Sequence, residues 1–312
     1  MYIAGIDGGA TKTECIIGDE KGNILSKGIG SASNYQVVGQ ESAKKALKTS
    51  LGRACNNIGI HLKDIDYVVF GLAGADMEED FKILNNICKE ILVDIPFEIK
   101  NDTWIALRAG SNKYWGVVTI CGTGSSAAGR TKDGKEVILR NLSYEYGNID
   151  GGYEIALTAL HYAFRSEELT FNKTKLEEEI PKIFKINKMD DLVPLLRKFK
   201  GDRKQLNLIP PVVFRLASEG DYVCQKILID MGHNLGMIAS GVLKKLGIYN
   251  LDVPIVLGGS VFVKGANPLL IDEFTTTVHR VAPKAIISKI TVDPVVGAYY
   301  LALDKLNLKS AK

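Results

Sequence analysis

The chain opens with the stretch that decides its fold, Ile3-Ala4-Gly5-Ile6-Asp7-Gly8-Gly9-Ala10-Thr11-Lys12-Thr13. An apolar run typical of a β-strand reaches an acidic residue and turns on two glycines and small polar residues. A second apolar run follows over residues 14–19. This order predicts a β-hairpin whose first strand delivers a carboxylate to a glycine-rich turn.

The chemistry of this turn suits an anionic ligand. Its backbone N–H groups can converge on an anion because glycine has no Cβ to block the approach, and the hydroxyls of Thr11 and Thr13 add donors. The Asp7 carboxylate would repel a phosphate unless a divalent cation lay between them, which suggests a Mg²⁺-nucleotide. An ordinary hairpin with an acidic turn residue stays an open alternative. A Walker loop is excluded because Thr11 stands where that motif requires glycine and no helix pattern follows.

Length, charge and cysteine content narrow the class of protein. The chain of 312 residues is long enough for two domains or one large α/β unit, and its formal net charge of +3 arises from interspersed charges. This pattern argues against nucleic-acid and membrane partners. Five single cysteines without a Cys-x-x-Cys pair indicate free thiols and argue against zinc or iron–sulfur ligation. Without a signal-peptide pattern or a membrane-spanning run, we expect a cytoplasmic protein.

The rest of the first third alternates strands and helices. The pattern predicts a strand at 23–28, a loop at 30–35, helices at 41–58 and 77–92, and strands at 67–75 and 97–100. The last of these strands ends at Asn101-Asp102. Three antiparallel strands followed by alternating helices and strands predict a mixed α/β layer with helices on both faces.

A second glycine hairpin echoes the first. Residues 114–130 form an apolar strand, a turn at Gly122-Thr123-Gly124-Ser125 and a returning strand, this time without an acidic residue before the turn. A third strand is predicted at 136–139, so the β-meander is repeated as well. Two such halves, with both hairpins directed into one cleft, would place a phosphate between two sets of backbone donors.

The remaining chain is mostly helical. The pattern predicts a helix at 151–164, a charged helical excursion at 169–215, a buried helix at 221–246, a strand running into Gly258-Gly259-Ser260, a helix at 268–280, a strand at 285–290 and a final helix at 294–306. The final helix is expected to pack back on the first half. No low-complexity linker separates the halves, so we expect a hinge of ordered elements near residues 103–110.

These glycine turns and the Asp at the end of a strand resemble the motifs of the actin/hexokinase/Hsp70 ATPase superfamily. More narrowly, the chain resembles the BadF/BadG/BcrA/BcrD-type ATPase family and its N-acetylglucosamine kinase-like branch. The resemblance spans nearly the whole chain and rests on Ile6-Asp7-Gly8-Gly9-Ala10-Thr11-Lys12-Thr13, Gly71-Leu72-Ala73-Gly74, Asn101-Asp102, Cys121-Gly122-Thr123-Gly124-Ser125 and Val256-Leu257-Gly258-Gly259-Ser260-Val261.

The resemblance implies an α/β fold with two actin-like (ribonuclease H-like) domains. Each domain would be a mixed β-sheet flanked by helices, with a nucleotide cleft between the two. The first domain is expected to comprise 1–104 plus 297–312. The second is expected to comprise 105–296, with a helical insertion at about 169–215.

The resemblance also implies ATP and Mg²⁺ as cofactors, with Asp7 holding the metal. The residues expected to bind the nucleotide are Gly8, Gly9, Ala10, Thr11, Lys12 and Thr13, then Gly122, Thr123, Gly124 and Ser125, and, at the adenosine, Gly258, Gly259 and Ser260. Phosphoryl transfer depends mainly on positioning and charge neutralisation, so backbone N–H groups and Mg²⁺ suit it without a covalent nucleophile.

The acceptor side requires a base, and the resemblance assigns that role to Asp102. Without the resemblance, Asn101-Asp102 is a common strand-end turn. The residues expected to bind the acceptor are Asn34, Gly74, Asp102, Thr123, Gly147 and Asp150. One segment departs from the family pattern Gly-Asp-Glu-Gly-Ser, because Asn148 and Ile149 stand where Asp and Glu are expected. Asp150 either replaces the missing acid or caps the following helix.

The resulting hypothesis is an ATP-dependent amino-sugar kinase. It would transfer the γ-phosphoryl group to a hydroxyl, C6 of N-acetylglucosamine first, with N-acetylmuramic acid as a further acceptor that fewer charged contacts would accommodate. The alternative is an ATPase activator of a 2-hydroxyacyl-CoA dehydratase type system, whose paired cysteines are not matched here. A ROK-type repressor or kinase is disfavoured because its zinc-binding cysteine cluster is absent from the sequence. The excursion 169–215 offers a surface for a homodimer.

Overall fold

The structure is a computed structural model that describes residues 1–140, 146–149, 151–198 and 205–306. The chain divides into two compact units. Unit 1 comprises Met1–Tyr114 and Ile290–Lys312, and unit 2 comprises Trp115–Lys289. Among the described helices, none has the length and apolar character needed to cross a bilayer.

Strands and helices alternate along both units. The strands are β1 (Tyr2–Gly8), β2 (Lys12–Asp19), β3 (Ile24–Ser31), β4 (Ile65–Leu72), β5 (Phe97–Asn101), β6 (Gly116–Cys121), β7 (Ser125–Arg130), β8 (Glu136–Ile138), β9 (Pro254–Gly258) and β10 (Ile286–Lys289). The helices are α1 (Tyr35–Val38), α2 (Gln40–Asn57), α3 (Glu78–Leu92), α4 (Asp102–Gly110), α5 (Gly152–Glu167), α6 (Leu176–Ile183), α7 (Leu192–Lys198), α8 (Pro210–Ser218), α9 (Tyr222–Leu246), α10 (Ser260–Lys264), α11 (Leu269–His279) and α12 (Pro294–Lys305).

Unit 1 is built on a five-stranded mixed sheet in the order β3-β2-β1-β4-β5. β1 pairs antiparallel with β2 and parallel with β4, so the predicted hairpin and the mixed sheet are confirmed. The apolar residues of β1 alternate between the two faces, as strand geometry requires. Ile6 packs in a core with Leu47 of α2 and Leu84 of α3. Ile3 packs in a second core with Tyr299, which confirms that the final helix returns to the first half.

Unit 2 repeats this arrangement. Its sheet order is β10-β9-β6-β7-β8, with β6 antiparallel to β7 and parallel to β9. β6 therefore occupies the place that β1 has in unit 1, and the predicted repeat of the β-meander is confirmed. One apolar core joins this sheet to the long helix α9 and to α5, α8 and α11. It is the kind of helix-flanked sheet that the strand and helix pattern predicts.

The limits of the two units differ from the predicted domain limits by several residues. Residues 105–114 and 290–296 group with unit 1, so both predicted boundaries, after 104 and after 296, fall inside stretches of that unit. The physical reason is packing, because Ile105 of α4 shares a buried cluster with Val295 and Ala298 of α12. The domain limits themselves stay a prediction.

Candidate functional site

In unit 1, Asp7 lies at the end of β1, directly opposite Glu14 of β2 and beside Gly71 of β4. Residues directly opposite each other in an antiparallel pair share one face of the sheet. Burial raises the pKa of Asp7 to about 7, and the charges of Asp102 and Glu14 add to the rise. A cation bound at this point would offset the crowding of negative charge.

Glu14 forms an ion-pair cluster that the sequence did not reveal. Glu14 is 3% exposed, and its carboxylate lies 2.7 Å from Lys12 Nζ through Oε2 and 2.7 Å from Lys27 Nζ through Oε1. Lys27 also lies 3.3 Å from Asp293 Oδ2. Burial acts to raise the pKa of Glu14, but the two lysines outweigh it and the pKa lies below its usual range. Glu14 is therefore ionised and holds the Lys12 ammonium beside the turn.

Thr13 is placed inside the fold rather than at the tip of the turn. It is fully buried, and its Oγ1 lies 2.7 Å from the Ser31 carbonyl oxygen and 2.8 Å from Ser33 Oγ. Ala10 and Thr11, in contrast, form the exposed tip. The tip is therefore open to a ligand, whereas the Thr13 hydroxyl fixes the chain between β3 and α1.

The carbonyl groups of the same turn hold two neighbouring loops. Gly9 O accepts hydrogen bonds from Ser33 N at 3.0 Å and from Asn34 N at 3.2 Å, and Gly8 O accepts one from Ala73 N at 2.9 Å. The turn is thus bonded directly to Asn34 and to the residue that precedes Gly74.

Two residues predicted to bind the acceptor meet beside this turn. Asn34 caps α1, and its Oδ1 accepts a hydrogen bond from Gln36 N at 3.0 Å. Gly74 has φ +83°, and a Cβ at that position would lie 2.9 Å from Asn34 Oδ1. Glycine is required here because both the backbone conformation and the closeness of Asn34 exclude a side chain.

Asp102 is the first residue of α4, which follows β5 directly. The preceding residue, Asn101, caps the helix by accepting a hydrogen bond from Thr103 N at 2.9 Å. Asn101 Nδ2 donates to Asp76 Oδ1 at 2.9 Å. Burial, followed by the charge of Asp76, raises the pKa of Asp102 to about 6. At neutral pH the side chain is mostly ionised, with a pKa close enough to neutrality for proton transfer.

In unit 2 the second glycine turn is held by α5. Gly122 O accepts a hydrogen bond from Gly152 N at 2.8 Å, and Thr123 O accepts one from Tyr153 N at 3.0 Å. The N-terminal end of α5 therefore lies against the turn. Gly122 and Gly124 have open space where a Cβ would stand, so backbone groups of this turn are approachable.

The segment that departs from the family pattern packs on the strand after the turn. Ser125 Oγ donates a hydrogen bond to the Ile149 carbonyl oxygen, and Asn148 Nδ2 donates to the Ser125 carbonyl oxygen at 3.3 Å. Gly147 is exposed with φ +86°. Asp150 lies outside the described residues.

The predicted adenosine turn meets the second glycine turn in the same unit. β9 ends at Gly258, and α10 begins at Ser260. Gly259 between them has φ +86°, and a Cβ there would lie 2.3 Å from the Cys121 carbonyl oxygen. The two glycine turns therefore sit side by side at the ends of the neighbouring strands β9 and β6.

A cavity of about 690 Å³ in unit 2 opens at these two turns. Gly122, Thr123 and Ser260 contribute to its wall, as the sequence predicts for a nucleotide site. The wall also contains residues that the sequence did not indicate, namely Asn207, Pro210, Pro211, Phe214, Arg215, Ser218, Glu219, Lys264, Gly265 and Ala266.

Helix α8 supplies much of that unpredicted wall. Pro210 and Pro211 start the helix, and this proline pair was the available signal for a helix beginning inside the charged excursion. The sequence did not indicate that this helix lines a cavity, because its charged residues have the pattern of a solvent-exposed face. In the structure Arg215 pairs with Glu219 at 2.8 Å and with Glu179. The cavity is large enough for a nucleoside and lies within the size range of ligand sites.

A model of the BadF/BadG/BcrA/BcrD ATPase family matches residues 4–302. The chain belongs to this family. The resemblance inferred from the glycine turns is thus confirmed, and the match runs through both units.

Two proteins that are similar to this chain over nearly its whole length are named as kinases. The chain is 30% identical over 312 residues to the N-acetyl-D-glucosamine kinase of Dictyostelium discoideum, with 96% of this chain and 97% of the relative covered. It is 28% identical over 301 residues to the N-acetylmuramic acid/N-acetylglucosamine kinase of Clostridium acetobutylicum, with 96% of this chain and 98% of the relative covered.

Solved structures of low sequence identity share the fold. A protein from Chromobacterium violaceum described as a candidate N-acetylglucosamine kinase superposes with a TM-score of 0.71 at 17% identity, covering 96% of this chain and 98% of its own. A ROK family glucokinase from Streptomyces griseus superposes with a TM-score of 0.62 at 16% identity, covering 97% of this chain and 100% of its own. The predicted fold of two helix-flanked mixed sheets is confirmed.

Proposed function

We propose that this chain is an ATP-dependent kinase of an amino sugar, with N-acetylglucosamine as the first acceptor and N-acetylmuramic acid as a further one. The observation that carries the proposal is the surroundings of Asp102 in unit 1. A carboxylate with a pKa of about 6 begins a helix in the same unit as the turn that carries Asp7. The kinase names of the two relatives support the acceptor class.

The acceptor residues of unit 1 have distinct roles in this proposal. Asp102 takes the proton of the acceptor hydroxyl as that oxygen attacks the γ-phosphorus of ATP, and the leaving ADP keeps the bridging oxygen. Asn34 uses Oδ1 to cap α1, which leaves its Nδ2 group to donate to a sugar oxygen. Gly74 keeps the wall beside Asn34 free of a side chain. Thr123, Gly147 and Asp150 remain proposed acceptor contacts from unit 2.

The residues that we propose to bind ATP lie on three glycine turns. Gly8, Gly9, Ala10, Thr11 and Lys12 of the first turn, Gly122 to Ser125 of the second, and Gly258 to Ser260 beside the cavity are proposed to bind ATP. The cavity of unit 2 provides apolar surface from Pro211 and Phe214 for the base. Thr13 contributes by holding the chain that leads to Asn34.

The donor set at Asp7 fits Mg²⁺. Within the described residues, no group of three or more His, Cys, Asp and Glu side chains could hold a metal ion by itself. Mg²⁺ keeps several waters and commonly binds through one or two carboxylates together with substrate phosphates. Asp7, with a pKa raised by burial and by neighbouring carboxylates, suits that mode. When bound, the ion would neutralise charge on the phosphates.

The experiment that tests the proposal is ADP release by the purified protein with Mg²⁺ and ATP across four acceptors. Glucose, glucosamine, N-acetylglucosamine and N-acetylmuramic acid should be compared at equal concentration. We expect the N-acetylated sugars to stimulate ADP release most. Stimulation by none of the four would overturn the proposal.

The alternative, an ATPase activator of a 2-hydroxyacyl-CoA dehydratase type system, has a separate readout. All five cysteines are buried, and the two named relatives are kinases, so we favour the kinase. Two results together would support the alternative. The protein purified without oxygen would contain iron, and its rate of ADP release would not depend on added sugars. A homodimer through residues 169–215 stays a prediction, which light scattering tests.

A further inference from the structure

A buried carboxylate of unit 1 lies behind the proposed acceptor residues without being one of them. Asp80, in the first turn of α3, is 7% exposed and accepts hydrogen bonds from four donors. Two donors come from the loop after β4, Met77 N at 2.7 Å and Asp76 N at 3.2 Å. The other two are the Tyr35 hydroxyl and Gln36 Nε2, the latter at 3.2 Å, and both belong to α1.

Helix capping accounts for only part of this arrangement. A carboxylate in the first turn of a helix usually bonds the backbone N–H of the capping residue, here Met77, and remains in contact with water. Tyr35 and Gln36 are not part of that helix; they precede it by about forty residues in the chain. Their bonds join α1 directly to the first turn of α3, in addition to the backbone hydrogen bonds by which the segments before α1 and after β4 are each held to the turn at Gly8 and Gly9.

The segments joined by Asp80 carry the proposed acceptor residues. Asn34 directly precedes α1, and its Oδ1 accepts from the backbone N–H of Gln36. Gly74 lies in the loop after β4, and its carbonyl oxygen accepts from Gln36 Nε2 at 3.4 Å. The next residues of that loop reach Asn101, because Asn101 Nδ2 donates to the Ala75 carbonyl oxygen at 3.3 Å.

The charge state of Asp80 suits this junction. Burial acts to raise its pKa, but the hydrogen bonds from Tyr35, Met77, Gln36 and Asp76 outweigh burial, so the pKa lies below its usual range. Within the described residues, no Lys, Arg or His forms an ion pair with Asp80. Among the described residues its charge is stabilised by the four neutral donors, and each of those donors is fixed in direction by the carboxylate.

We propose that Asp80 is a positioning residue for the phosphoryl acceptor. It holds the segment of Asn34 against the loop of Gly74, and through Asn101 it supports the start of the helix that carries Asp102. The inference rests on the proposed kinase function. It adds a residue that holds the proposed acceptor-binding residues in place before the acceptor binds. Preorganised groups bind a ligand more tightly because less ordering remains to be done on binding.

The test is the Asp80→Asn variant. The amide has one acceptor oxygen, so it cannot accept from both α1 and the loop after β4. We expect the KM for the acceptor to rise about 10-fold or more while the KM for ATP stays within about 2-fold. The matched control is Glu78→Gln, which removes a carboxylate from the same helical turn. That side chain is 86% exposed and pairs with Lys82, so both KM values should stay at the wild-type level.

A second variant keeps the test decisive if Asp80→Asn fails to fold. Tyr35→Phe removes the hydroxyl that donates to Asp80, together with its hydrogen bond to the Gln36 side chain, and it should raise the acceptor KM about 3-fold. Combined with Asn34→Ala, the Tyr35→Phe change should add little further, because both changes act on one contact with the acceptor. Additive effects of the two changes would contradict a role through Asn34.

The outcomes separate the inference from the proposed function. A wild-type protein that phosphorylates no acceptor overturns the proposed function and the inference with it. A wild-type protein that phosphorylates an acceptor, with Asp80→Asn and Tyr35→Phe leaving its KM unchanged, overturns the inference alone. Equal rises in the KM for ATP and for the acceptor would also overturn it, because they would indicate a general loss of structure.

Discussion

The β1–β2 hairpin of unit 1 and the β6–β7 hairpin of unit 2 occupy the same place in two sheets of the same strand order, yet they carry different chemistry. The leading strand of the first hairpin carries Asp7 one residue before its end, opposite Glu14. The second ends its leading strand with Cys121, opposite Ser125. The repeated fold supplies the glycine turn twice, whereas the carboxylate is supplied once.

The carbonyl groups of the two turns also have different partners. In unit 1 they accept hydrogen bonds from Ser33, Asn34 and Ala73, which lead to the proposed acceptor residues. In unit 2 they accept from Gly152 and Tyr153 at the start of α5, beside the cavity. Sheet topology therefore fixes where a turn lies, and we expect the loops bonded to it to decide which ligand it binds. Four predictions test this division, in order of decreasing effect.

The largest effect is expected for Asp102→Asn in unit 1. Without a base for the acceptor hydroxyl, kcat should fall by about 10²- to 10⁴-fold. Binding of ATP, measured by calorimetry, should stay near the wild-type level because the amide keeps the size of the side chain. Turnover near wild type would remove Asp102 from the mechanism.

The next effect is expected for Gly259→Ala in unit 2. The added Cβ would meet the Cys121 carbonyl oxygen at 2.3 Å, in a backbone conformation that alanine rarely adopts. The KM for ATP should rise about 10-fold or more, and the free energy of unfolding should fall by about 2 kcal/mol. Gly241→Ala is the matched control, because open space surrounds that position in α9 and alanine favours helix. An unchanged KM for ATP would argue against the nucleotide role of this turn.

The third effect is expected in the pH dependence of activity, which should follow the ionisation of Asp102 in unit 1. Asp102 has a pKa raised to about 6 and acts as a base only when ionised, so activity should be lost as pH falls through that value. With saturating Mg²⁺ and ATP, kcat/KM for the acceptor should drop about tenfold per pH unit below that point. Asp76→Asn removes a charge that raises this pKa and should move the acid limb to lower pH. An acid limb that does not move would contradict the assignment to Asp102.

The smallest effect on catalysis is expected for Thr13→Val. The substitution removes the hydroxyl that lies near Ser31 and Ser33, so the free energy of unfolding should fall by about 1–2 kcal/mol. The KM for ATP should change less than about 2-fold, because Thr13 is buried away from the tip of the turn. Thr13→Ser keeps the hydroxyl and should recover the stability. A large rise in the KM for ATP would instead support Thr13 as a direct phosphate donor.

Much of the fold could be predicted from local sequence signals. The period-2 runs, the two glycine turns and the helical spacing identify the strands and helices because these signals depend on neighbours along the chain. The repeat of the meander followed from comparing two such segments. The end of β3 was missed, since Ser31 pairs with Lys12 across the sheet although residues 30–35 have the composition of a loop.

Of the candidate site, the sequence indicated residues on the glycine turns and at loop or strand ends, such as Asn34 and Asp102, and their roles stay predictions. The ion pairs of Glu14 with Lys12 and Lys27, the burial of Thr13 and the bonds of Asp80 to Tyr35 depend on contacts between segments distant in sequence. The contribution of α8 to the cavity depends on how a charged excursion folds back. No spacing rule encodes such contacts, because they are set by packing of the whole unit.

The central claim is that the chain phosphorylates a sugar hydroxyl, and the most direct measurement is ³¹P and ¹H NMR of the products formed from ATP and N-acetylglucosamine. The account predicts one sugar phosphate for each ADP, with the phosphorus coupled to the C6 protons, and no product from the 6-deoxy sugar. ADP accumulating with inorganic phosphate and no sugar phosphate would contradict it.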